Sequence, residues 1–199
     1  PFFLLNYTPY FEGIHINIDK SKFAFSFLFC GALAFITSLI WLDYILKLDL
    51  HEKSKKHYVW LVFILSIFFT QYLTDPLYNL VRESGFILNG EPLNDFIYCV
   101  FSIGVIEEIT KLIPFLIVLK FTKAMKEPYD YILFASVSAL GFAFVENITY
   151  LNRFGPEIIL ARTFYAAIAH ITFSSTIAYG LLLKKYRYFK TPKALIYGI

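Results

Sequence analysis

The run GVIEEITKLIPFLIVL, residues 104–119, sets Glu107, Glu108 and Lys111 in the middle of an otherwise apolar stretch. An Asp, Lys or Arg at the centre of a membrane helix costs about 2.5–3.5 kcal/mol, against a gain of about 0.3–0.6 for each Leu, Ile, Phe or Val. A helix this apolar can still insert, but its charges must face the bundle interior or a wet cavity. Lys111 lies four residues after Glu107 and three after Glu108, so one ammonium reaches either carboxylate on a single helix face. Pro114 has no N–H to give to the Thr110 carbonyl, which predicts a kink just past the charged turn and a free acceptor beside it.

Two later runs carry more polar groups. LGFAFVENITYLN holds Phe142, Glu146 and Asn147, and LARTFYAAIAHITFSS holds Arg162, His170 and Ser174. Glutamate with histidine permits two designs. In one, Glu107 or Glu108 is the general base toward a water and His170 helps steady the oxyanion. In the other, Glu107, Glu146 and His170 hold a metal ion, a ligand set chemically acceptable for zinc although its spacing is nonlocal, and the metal lowers the pKa of that water. The sequence has no HExxH, no GxSxG and no glycine-rich phosphate loop. Each group has a plainer reading by itself: a structural ion pair, a satisfied core histidine, or an asparagine binding helix to helix. Their placement on three consecutive helices favours a functional site.

The elements that must position these residues are membrane helices. The chain has 199 residues and is 58% hydrophobic, above the roughly 45–50% of a soluble domain. Apolar runs predict five spans, at about 23–46, 58–73, 95–119, 131–151 and 156–183, with the second ending where Pro76 disfavours helix in the residue before it. The expected fold is thus an all-α polytopic bundle, with residues 1–22 an external segment and 23–199 the transmembrane domain. Lys-rich loops follow the first, third and fifth spans, which puts the N-terminus outside and the basic loops in the cytoplasm. The net charge of +3 is spread over these loops, so no nucleic-acid surface is expected. Cys30 and Cys99 lack metal-ligand spacing and read as small buried hydrophobes.

Taken in order, EEITK at Glu107–Lys111, GFAFVEN at Gly141–Asn147 and AHITFSS at Ala169–Ser175 resemble the successive motifs of the PrsW family. These are intramembrane proteases related to the CAAX prenyl protease clan. The resemblance covers about half of the chain. It implies a multi-pass enzyme of the cell membrane that hydrolyses a single-span, membrane-anchored protein, with site-1 cleavage of an anti-sigma factor as the implied case. It also implies that Glu107 and Glu108 activate water or bind metal with Glu146 and His170, and that Lys111, Phe142, Asn147 and Arg162 support them. The family pattern includes a further histidine-bearing helix, which TPKALIYGI begins. A piece ending at Ile199 is therefore expected to lack part of its site and to be weakly active or inactive alone. Two readings compete: a non-catalytic membrane scaffold with a structural polar cluster, and a proton-coupled transporter using the same groups as a relay.

Overall fold

The structure, a computed structural model, describes residues 20–49 and 56–185, with side chains from residue 27 onward. The segment 1–22 expected to be external, part of the first basic loop and the start of the expected C-terminal helix fall largely or wholly outside the described residues. Helix α1 is Lys20–Lys47 and α2 is Lys56–Glu83. Helix α3 is a continuous run over residues 92–121, built from an α-helical turn Pro92–Ile97, a π-helical stretch Tyr98–Gly104 and a second α-helical part Val105–Phe121. Helix α4 is Pro128–Phe154. Helix α5, Pro156–Lys185, opens with a 3-10 turn, carries a π-turn at Arg162–Ala166 and continues as the α-helix Ala167–Lys185. Among the described residues there is no strand, as expected for an all-α bundle.

Among the described residues four helices, all but α3, are long and apolar enough to cross a membrane. Helix α3 is divided by its π-stretch and carries the charged cluster. Large apolar side chains cover the outside of the bundle, among them Leu28, Ile36, Ile40, Ile64, Phe68 and Tyr72. A surface this apolar suits lipid.

Helix α4 is the central post. Of its most apolar stretch 72% is buried, against 28–33% in the other three spans. It packs against α1, α2, α3 and α5. Its start is fixed by Pro128 in the first turn and by a reciprocal cap, in which buried Asp130 accepts from the backbone N–H groups of Lys126 and Glu127 at 2.7 and 2.8 Å. Small residues then let neighbours approach. Ser66 of α2 donates to the Ser138 carbonyl at 2.5 Å, and Ser138 donates to the Lys111 carbonyl of α3 at 2.5 Å. Helices in lipid depend on such small-residue contacts, because apolar burial cannot distinguish a neighbour from a lipid tail. Phe144 of α4 packs on Phe35 of α1 and Phe63 of α2 above this seam.

The structure corrects two sequence expectations. Helix α2 does not stop before Pro76; it continues through it to Glu83, about three turns past the expected end. Pro76 removes one donor, to the Tyr72 carbonyl, but a proline in a membrane helix is tolerated where packing supports the turn. Cys30 is buried as expected, whereas Cys99 is exposed on the π-stretch of α3. The α-helix also runs through Pro114 without ending.

Gly141 tests the α2–α4 seam. A Cβ there would lie 2.7 Å from both the Phe63 carbonyl oxygen and Ser66 Cβ, while one at Gly31 would meet nothing within 4 Å. Gly141→Ala should cost about 1–3 kcal/mol through overpacking, and Gly31→Ala should be neutral or mildly stabilising. Thermal unfolding in detergent measures both; equal midpoints for the two variants would refute the seam.

Candidate active site

The first unit of the site is built on one turn of α3. Lys111 is 1% exposed, so its ammonium needs partners. It has Glu108 Oε1 at 2.5 Å, His170 Nδ1 at 3.0 Å and Glu107 Oε2 at 3.7 Å, and it sits 4.7 Å from the centre of the Phe142 ring. The three- and four-residue spacing read from the sequence thus brings both carboxylates to one cation.

The second unit joins α4 to α5. Glu146 Oε2 accepts from Arg162 Nη2 and from His170 Nε2, each at 2.9 Å, and Arg162 Nε donates to Asn147 Oδ1 at 2.8 Å. The guanidinium lies 4.1 Å above the Tyr150 ring. The π-turn of α5 contains Arg162, and its wide turn is also where the Thr163 carbonyl accepts from Trp41 Nε1 of α1 at 2.9 Å. Such turns recur at functional sites because they re-aim side chains within a helix.

His170 connects the two units. Lys111 is a donor only, so His170 Nδ1 must accept, and the ring proton then resides on Nε2 and is given to Glu146. Phe142 packs edge-on against the imidazole at 5.2 Å and fixes the ring plane.

The two adjacent glutamates part company. Glu108 is held by Lys111 and by Ser174, whose hydroxyl donates to Oε2 at 2.9 Å. Ser175 pairs instead with Ser136 at 3.0 Å. Glu107 turns to the other side, toward a cavity of about 120 Å³ between α2, α3 and α4. Its contacts are long: Lys111 at 3.7 Å, His170 Nδ1 at 3.8 Å and the Tyr78 hydroxyl at 3.4 Å. Glu107, Glu146 and His170 offer ligand atoms that all lie within 4.8 Å of one another.

Sequence reasoning missed the α2 wall of that cavity, which includes Thr70, Thr74, Tyr78 and Arg82. These recur every four residues straight through Pro76, so the helical period was present in the sequence, and the proline obscured it.

A family model described as PrsW family intramembrane metalloprotease matches residues 53–198. The chain belongs to this family. It is also 35% identical over 86 residues to the Protease PrsW of Oceanobacillus iheyensis, a match covering 43% of this chain and 40% of that relative's length. No solved structure matches it. Membership of the PrsW family, with the apolar spans, makes this a multi-pass membrane protein.

The family description names a metalloprotease, and the side chains present fit a metal by type and proximity. Two carboxylates and one imidazole are an accepted zinc set that leaves a position open. His170 would have to give up one of its two present contacts to serve as a ligand.

Because Lys111 neutralises the buried turn, Lys111→Met should destabilise the protein by about 3–5 kcal/mol, the cost of leaving one partner of a buried pair behind. Adding Glu108→Leu to that variant should recover part of the loss. Unfolding of the single and double variants in detergent tests this; a double variant less stable than Lys111→Met would contradict the pairing.

Proposed function

We propose that this chain is an intramembrane endopeptidase that hydrolyses a peptide bond of a membrane-anchored protein, with Glu107 as general base. The observation that carries this reading is the unequal engagement of the three carboxylates. Glu108 and Glu146 each accept short bonds from two partners, whereas Glu107 has only contacts of 3.4 Å or more and faces the cavity. A carboxylate whose oxygens are uncommitted is the one able to take a proton from water.

In this mechanism a water in the cavity adds to the scissile carbonyl carbon while Glu107 takes its proton. The same carboxyl then returns that proton to the leaving nitrogen as the C–N bond breaks. Lys111 holds Glu108 and orients His170 through Nδ1. Arg162 and Asn147 fix Glu146, which in turn holds the His170 Nε2 proton. In the alternative design, Glu107, Glu146 and His170 would hold zinc, which would supply Lewis acidity and lower the pKa of a water toward about 7, and Glu107 would then be a ligand and not the base.

The family resemblance supports a single-span membrane protein as substrate and an anti-sigma factor as the specific case. The basic loops support a cell-membrane orientation with the N-terminus outside. The transporter and scaffold readings predict that cleavage is absent or indifferent to these side chains.

The test uses the full-length protein in liposomes with a panel of single-span peptides, each with about 20 apolar residues and varied flanks, and reads products by mass spectrometry. Glu107→Gln and His170→Ala should lower cleavage by about 10²–10⁴-fold, and Glu108→Gln should lower it less. Suppression by a chelator with recovery on added zinc would select the metal design, and cleavage indifferent to the chelator the metal-free base. Cleavage by Glu107→Gln at the wild-type rate would remove this site from consideration.

A further inference from the structure

The transition state for peptide hydrolysis puts negative charge on the carbonyl oxygen, and that oxygen needs a hydrogen-bond donor placed in advance. Most donors around the base are already engaged. Arg162 is bonded to Glu146 and Asn147, Lys111 to Glu108, His170 Nε2 to Glu146 and Ser174 to Glu108. The wall opposite α3 is different. Tyr78, on α2, lines the same cavity as Glu107 and Glu146. Its hydroxyl is 3.4 Å from Glu107 Oε1, outside the roughly 2.5–3.0 Å of a well-formed O–H···O bond. One turn earlier on the same wall, the Thr74 hydroxyl is buried with no hydrogen-bond partner, although the residue is only 6% exposed.

We propose that Tyr78 is a further catalytic residue, donating its phenol hydrogen bond to the oxyanion formed when water adds to the scissile carbonyl. The inference rests on the peptidase reading above and extends it to α2. Water oxygen bonds to the carbonyl carbon, the C=O π pair moves onto oxygen, and Glu107 receives the water proton. Tyr78 keeps its own proton throughout and shares it as a hydrogen bond. Base and oxyanion donor then stand on different helices, α3 and α2, and both line one cavity.

Tyr78→Phe removes one hydroxyl and keeps the ring. In the full-length protein, with the panel peptide that wild type cleaves fastest, kcat should fall about 100-fold while KM changes little, as for loss of one oxyanion donor. A Tyr78→Phe variant with wild-type kcat, beside a dead Glu107→Gln, overturns the role of Tyr78 and leaves the peptidase reading standing. A raised KM with kcat unchanged would overturn it too, making Tyr78 a residue that binds the substrate before the chemical step. If Glu107→Gln cleaves like wild type, the base assignment fails and the oxyanion assignment falls with it. Matched unfolding midpoints for Tyr78→Phe and wild type exclude misfolding as the source of any loss.

Discussion

A single ammonium buried between three helices organises this protein. Lys111 is almost wholly removed from solvent, and it touches a carboxylate of its own helix, an imidazole of α5 and an aromatic ring of α4. An unpaired charge there would be prohibitive. The helices therefore have to meet at this point and in this rotation. Its backbone is held as well, since the Lys111 carbonyl accepts from Ser138 of α4. The packing of small residues brings the helices close, and the charge sets their register.

From that point the site follows by a division of labour among similar groups. Three glutamates stand within one cluster, and their neighbours make them unlike. Glu108 is tied to lysine and serine, Glu146 to arginine and histidine, and Glu107 is left facing the cavity. The imidazole between them has a definite tautomer because lysine can only donate. Sequence neighbours thus acquire separate roles because successive side chains on a helix point about 100° apart.

Much of this was legible in the sequence, for one reason. A polar residue in an apolar helix is expensive, so Glu107, Glu108, Lys111, Glu146, Asn147, Arg162 and His170 stood out against their surroundings. The structure brings all seven together. The helices were legible because apolar runs of this length have few alternatives. Tyr78 was not, because a tyrosine near a helix end is ordinary in a membrane protein, where such rings gather at the interfaces. Pro76, two residues before it, also read as a stop. Its effect on the backbone is local, and tertiary contacts carried the helix past it. The π-turns were invisible for a related reason: they arise from packing, and no residue type marks them.

The π-stretch of α3 has a consequence for how this chain can vary. A π-turn accommodates about one residue more than an α-helix of the same phase. Residues before Tyr98–Gly104 and residues after it therefore belong to two helical phases that the wide turn reconciles. Tyr98 is buried on one side of that joint, and Ile106, Thr110 and Lys111 are buried on the other. Losing one residue within the joint would remove the wide turn and leave both halves facing as they do now, whereas losing two would turn one half relative to the other by about 100°. Either Tyr98 or the charged turn would then swing toward lipid. Substitutions at the lipid-facing positions Val100 and Phe101 leave that phase alone. In this segment, length is under tighter constraint than identity.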